Sequence, residues 1–203
     1  MRDIIFLHGL GQTRREWDDV CKELPKEIHP HCPDLNDFMT DEHHHYERLY
    51  QSFESYCDRF DHPVELCGLS LGAVMAINYA VDHPGVVSKL ILIAPQYRMP
   101  LHLLRFQNLV FRIMPEKAFG NIPQGKSGLI QLTHSMQHLD FTKRINRISC
   151  DTHILCGEKD YANKKAAAMI ADMLPGAKLY IIEKTGHEIN IDNSQAIVRV
   201  IVQ

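Results

Sequence analysis

Apolar positions along this chain fall into two alternating patterns. Short apolar or β-branched runs at residues 3–7, 28–32, 64–68, 89–93, 153–157 and 178–182 predict six strands. Between them, apolar residues recur at helical spacing. Trp17, Val20, Cys21 and Leu24 follow a helix start near Thr13. Tyr46, Leu49, Tyr50, Phe53, Tyr56, Cys57 and Phe60 form the clearest amphipathic stripe, with Thr40 as N-cap and Asp41 and Glu42 in the first turn. Val74, Ile77 and Ala80 share a stripe beginning at Leu71, an alanine-rich helix covers 164–174, and a last helix covers 194–202.

Strands that are continuous apolar runs, each followed by a helix, predict a mostly parallel sheet of about six strands covered on both faces, an α/β class fold. Ligands bind such sheets at the carboxyl ends of the strands. Leu10, Ser70, Asp160 and His187 all follow such ends, so one rim collects them. Pro30 lies inside the second run and cannot donate to a central ladder, which places that strand at an edge. The stretch 97–148 breaks the alternation, carries an amphipathic pattern through Leu101, Leu104, Phe106, Leu109, Val110, Ile113 and Met114, and reads as a short helical lid.

Composition narrows this picture. At 203 residues and 45% hydrophobic, with no long linker, the chain reads as one domain over 1–203 with the lid at 97–148. A net charge of −3 without a basic stripe points away from nucleic acid and anionic membrane surfaces and toward a small-molecule partner. Apolar runs such as 90–94 are too short to span a bilayer and no charged-then-apolar leader precedes the first strand, so the expected location is cytoplasmic. The six cysteines lack a C-x-x-C pair and read as reduced, packed thiols. His43, His44 and His45 are consecutive on a predicted helix, where they fan apart and form a solvated face instead of converging on a metal.

The chemistry is concentrated where the third run ends. In Gly68-Leu69-Ser70-Leu71-Gly72 a serine stands between two glycines at the junction of strand and helix. A sharp turn there holds the hydroxyl above the sheet beside a helix N-terminus, and glycine at 68 and 72 removes the Cβ atoms that would clash. Glycines 9 and 11 allow a tight turn that aims the Leu10 N–H into a site. For a carboxylate partner to a histidine base, Asp160, Asp192 and Asp34 are all open from position alone.

Four elements in this order, His8-Gly9-Leu10-Gly11, Gly68-Leu69-Ser70-Leu71-Gly72, Gly157-Glu158-Lys159-Asp160 and Gly186-His187, resemble the α/β-hydrolase family over nearly the whole chain outside 97–148. The resemblance implies a serine hydrolase of small carboxylic esters or thioesters, with Ser70 as nucleophile, His187 as base, Asp160 as triad acid, and the backbone N–H groups of Leu10 and Leu71 as oxyanion hole. It implies no cofactor and no metal. The family usually has two further strands before the one carrying His-Gly, so the sheet should be reduced. Its edge must then be blunted or paired, which leaves the oligomeric state open between a monomer and an edge-strand or lid-mediated dimer. Leu101, Leu104, Phe106, Met114 and Phe119 are the expected lid residues lining the substrate.

Two other readings compete. Gly120, Gly125, Lys126 and Ser127 match G-x-x-x-x-G-K-[ST], a phosphate-cradling pattern, although no buried strand precedes it. A catalytically slow ligand receptor on the same fold is the other. Arg98, Arg105 and Arg112 recur at seven-residue steps, a spacing compatible with an anionic substrate but more often a solvated helix face.

Overall fold

Strand β1, Arg2–Leu7, alternates its side chains between two separate apolar clusters: Ile5 and Leu7 enter one, Ile4 and Phe6 the other. A strand with both faces buried belongs inside a sheet with helices above and below. The computed structural model describes residues 2–39, 44–119 and 125–203. Its sheet has six strands in the order β2-β1-β3-β4-β5-β6, every pair parallel.

After β1 a capping box starts the next helical segment. Thr13 accepts from the Arg15 N–H, and Glu16 accepts in return from the Thr13 N–H at 2.8 Å, which satisfies donors that a helix start leaves open. A 3₁₀ turn at Arg14–Trp17 leads into α1, Asp18–Lys22, and buries Trp17 against Phe6 with ring centroids 5.0 Å apart. Strand β2, Ile28–His31, pairs only with β1, with Pro30 opposite Ile4 at the sheet edge where the missing N–H costs no ladder bond.

Helix α2, Tyr46–Cys57, begins later than its sequence pattern suggests. His45 is its N-cap in extended backbone and His44 precedes it, so neither lies on the helix; Thr40, Asp41, Glu42 and His43 fall outside the described residues. Strand β3, Val64–Leu69, is buried throughout and runs into α3, Leu71–Asp82, buried from Leu71 to Val81. A helix buried all round is held mainly by packing, and α3 lies in the centre of one cluster. Strand β4, Val87–Ile93, is followed by the insertion.

The insertion carries α4, Leu101–Ile113, and α5, Gly125–Ser135. Its entry and exit are zipped together: the Phe141 N–H donates to the Tyr97 carbonyl at 2.8 Å and the Met99 N–H to the Leu139 carbonyl at 3.0 Å, around an antiparallel bridge between Arg98 and Asp140. Arg98 therefore precedes α4 and does not share a helix face with Arg112, and the Arg105 side chain lies outside the described residues. Strand β5, Asp151–Gly157, helix α6, Lys164–Met173, strand β6, Lys178–Ile182, and helices α7, Ile189–Asp192, and α8, Ser194–Ile201, complete the alternation. Among the described residues no helix is long and apolar enough to cross a membrane.

One polar network ties the insertion to the helical layer. The Asp82 carboxylate accepts from Tyr50 Oη at 3.1 Å, from Asn78 Nδ2 and from Arg144 Nη1 at 2.8 Å. Asp82→Ala leaves those donors short of an acceptor, with an expected loss of about 1–3 kcal/mol in urea unfolding relative to wild type.

Candidate active site

The turn between β3 and α3 puts Ser70 at φ 53° and ψ −107°, a conformation in which a side chain strains the backbone. The surroundings hold it there. The Ser70 N–H donates to the Ile93 carbonyl at 2.9 Å, and the Ser70 carbonyl accepts from the Val74 N–H at 3.0 Å. A Cβ at Gly72 would collide with the Leu7 carbonyl, and one at Gly68 with the Gly72 carbonyl, so both glycines are required by the closeness of α3 to β1 and to its own strand.

A second pair of loops carries Asp160 and His187. After β5 the Glu158 N–H donates to the Ile182 carbonyl at 2.9 Å and the Lys159 N–H to the Thr185 carbonyl at 3.0 Å, which stitches this loop to the one after β6. A Cβ at Gly157 would meet the Gly186 carbonyl, so the approach depends on that glycine. His187 Nδ1 lies 2.7 Å from Asp160 Oδ2. Asn163 Nδ2 donates to both carboxylate oxygens, at 2.8 and 2.9 Å, and its own Oδ1 accepts from Gln96 Nε2 at 2.7 Å. Asn163 Nδ2 is also 3.2 Å from His187 Nδ1, but with a proton on that nitrogen both groups are donors, so the amide bonds go to the carboxylate. Burial pushes the Asp160 carboxyl up, yet the bonds from His187 and Asn163 outweigh it and hold the group below the usual carboxylate range.

The competing carboxylates are engaged elsewhere. Asp192 Oδ2 accepts from the Gly186 N–H at 3.0 Å, and Asp34 accepts from the Asn36 and Arg14 N–H groups at 3.0 and 3.3 Å and lies beside His8.

Ser70 and His187 line one cavity of about 320 Å³ together with Leu10 and Leu71. Leu71 is the first residue of α3, so its N–H has no intrahelical acceptor. Leu10 sits in a turn closed by the Gln12 N–H on the Gly9 carbonyl at 3.2 Å. Of the five expected lid residues, Leu104 lines the cavity. Leu101 is 40% exposed and borders a wider groove alongside, Phe119 is buried edge-on against Phe111, Met114 lies just past the end of α4, and the Phe106 side chain is outside the described residues. Val74, Met99, Pro100, Thr133 and Met136 supply wall that the sequence pattern did not single out. Asn163 and Gln96 were likewise missed, though an amide three residues after Asp160 is a readable signal for a carboxylate partner at a helix start.

The phosphate-loop pattern takes another form. Glu116–Phe119 is a 3₁₀ turn, residues 120–124 lie outside the described residues, and Lys126 Nζ donates to the Arg112 and Met114 carbonyls at 2.7 and 2.8 Å, capping the end of α4. Among the described residues no group of three or more His, Cys, Asp and Glu side chains is arranged to hold a metal.

Residues 4–200 match the family described as the Alpha/beta hydrolase family. The chain belongs to that family. A pimeloyl-[acyl-carrier protein] methyl ester esterase from Nitrosomonas europaea is 32% identical over 92 residues, 45% of this chain but only 36% of that enzyme. A human monoacylglycerol lipase, ABHD6, is 23% identical over 98% of this chain and 74% of its own length. Among solved structures, MenH from S. aureus superposes with a TM-score of 0.84 at 20% identity, covering 99% of this chain and 92% of that one, a likeness of fold.

Two measurements follow from this geometry. Gly72→Ala forces α3 away from Leu7, with an expected destabilisation of more than about 3 kcal/mol by denaturant titration, whereas an ordinary surface substitution stays within about 0.5. A carboxylate whose folded pKa is depressed stabilises above its unfolded value, about 3.9, and that contribution is lost as pH falls through the folded value. Asp160→Asn should therefore be less stable than wild type at pH 7, with the gap narrowing below about pH 4 in paired unfolding curves.

Proposed function

We propose that this protein is a serine hydrolase that cleaves small carboxylic esters or thioesters through an acyl-Ser70 intermediate. The observation that carries this reading is the shared cavity of Ser70 and His187, with Asp160 bonded to Nδ1 of His187. Asp160 accepts a hydrogen bond from the Nδ1–H, which keeps the proton on Nδ1 and leaves Nε2 free to take another. His187 Nε2 takes the Ser70 proton as the oxygen attacks the carbonyl carbon, then returns it to the leaving alkoxide or thiolate, and a water repeats the sequence to free the acid. The negative charge on the tetrahedral oxygen is met by the Leu10 N–H and by the Leu71 N–H at the positive end of α3, donors each worth roughly 10²- to 10³-fold in rate. No step of this sequence calls for a metal or an organic cofactor.

Both curated relatives bear names that denote cleavage of an ester, which supports an ester as the scissile bond. A cavity of about 320 Å³ is near the lower end of the roughly 300–1,000 Å³ that small-molecule sites occupy, which favours a short acyl group. In this reading residues 1–203 act as one domain with 97–148 as its lid, and the six unpaired thiols favour a reducing, cytoplasmic setting.

A panel of p-nitrophenyl esters from acetate to palmitate tests the reading. Each buried methylene gains about 0.8 kcal/mol, so kcat/KM should rise from acetate toward butyrate or hexanoate and then fall as the cavity fills. Ser70→Ala should remain folded with at most residual turnover, and a fluorophosphonate should label wild type at Ser70. Near-wild-type turnover in Ser70→Ala would sink the assignment, and a folded wild type that binds a ligand but turns over no ester favours the receptor reading.

A further inference from the structure

The side chain of Gln12 is buried, 6% exposed, beneath the turn that carries Leu10, and each end of its amide is used. Its Oε1 accepts from the Gly9 N–H at 3.1 Å and from Asn190 Nδ2 at 3.2 Å. Its Nε2 donates to Glu188 Oε1 at 2.9 Å, a carboxylate on the residue that follows His187. The backbone of Gln12 adds a bond from its N–H to the Gly9 carbonyl and accepts from Asn36 Nδ2 at 3.1 Å. Residues 9–12 are thus pinned from both sides. Gly11 supplies the positive φ of 80° that such a turn needs.

We infer that Gln12 is a positioning residue that aims the Leu10 N–H at the reacting carbonyl and ties that turn to the His187 loop through Glu188. The argument is geometric. The turn has no strand or helix of its own to fix it, and Leu10, within it, lines the cavity. A backbone donor stabilises an oxyanion only when it is held in place before the charge forms, and misplacement by about 1 Å can cost 10²-fold. Gln12 supplies that rigidity with a buried amide whose oxygen holds the turn and whose nitrogen holds the loop of the base. A carboxylate at Glu188 makes the second bond charge-assisted. Asn190, 1% exposed, completes the link by giving its amide N–H to the same Gln12 oxygen.

This inference rests on acyl transfer at Ser70, and one series of proteins separates the two. Wild type, Gln12→Leu, Gln12→Glu, Gln12→Glu combined with Glu188→Gln, and Ser70→Ala are compared by the second-order rate of labelling with a fluorophosphonate and by kcat and KM on p-nitrophenyl butyrate. Labelling forms the Ser70 O–P bond and expels fluoride, with the serine proton passing to His187, so it probes the same donors without any knowledge of the natural substrate. Gln12→Leu should lower the labelling rate and kcat together by about 10- to 100-fold with KM changed less than about threefold, because the lost function acts on the transition state. Gln12→Glu places two carboxylates against each other and should also slow labelling. The added Glu188→Gln restores a donor–acceptor pair and should bring the rate back to within about threefold of wild type. Unchanged labelling in Gln12→Leu alongside a lowered melting temperature would mean a structural role only and would overturn the inference. If Gln12→Leu does not fold, failure of the double variant to recover overturns it equally. No labelling of wild type at Ser70 overturns the acyl-transfer reading and this inference together, whereas labelled wild type, silent Ser70→Ala and an unaffected Gln12→Leu overturn this inference alone.

Discussion

Where α3 begins, its backbone passes so close to the carbonyl of Leu7 that position 72 has room for a hydrogen atom and nothing larger. That contact sets the geometry of the rim. β1 and β3 are already neighbours in the sheet, and pressing the first turn of α3 onto the end of β1 fixes the serine turn relative to the loop that leaves β1. The unusual backbone of Ser70 persists because it is over-determined: its N–H is bound by Ile93, its carbonyl by Val74, and its flanks cannot relax without breaking the packing of a helix buried along nearly its whole length.

A second close approach, Gly157 against Gly186, does for β5 and β6 what Gly72 does for β1 and β3. The first fixes a hydroxyl and two N–H groups, and the second an imidazole and a carboxylate. The sheet alone would leave these two frames joined only through β4, whose end is Ala94 in a positive-φ conformation. Side-chain amides add bonds between the loops: Gln96 after β4 to Asn163, and Gln12 after β1 to Glu188 beside His187. Amides suit this task because they donate and accept at once.

The six strands, the edge placement of the one with Pro30 and the rim shared by Leu10, Ser70, Asp160 and His187 were legible in the sequence, because apolar runs, proline and glycine act locally and leave local marks. The choice among Asp34, Asp160 and Asp192 was open from position alone, since each follows a strand or enters a helix, and fell on Asp160 only through the family resemblance; in the structure Asp160 is the one that bonds His187. The start of α2 differs from the expected one: the helix begins at Tyr46 with His45 as its N-cap, while Thr40, Asp41 and Glu42 lie outside the described residues. The cavity wall was legible least. Helical periodicity in α4 reports that one face is apolar but not which apolar partner it meets, and Phe119 found Phe111 whereas Met99 and Pro100 reached the cavity from outside any periodic segment.

The short antiparallel zipper at Tyr97 and Phe141 closes the insertion on itself before it meets the sheet. Because both ends enter and leave through the same two backbone bonds, the entropic cost of closing the loop between them depends only weakly on its length. The roof over Ser70 is in this sense a cassette in a fixed socket. A lineage can lengthen, shorten or replace it, and so change what the cavity admits, while the rim that carries Ser70 and His187 keeps its alignment.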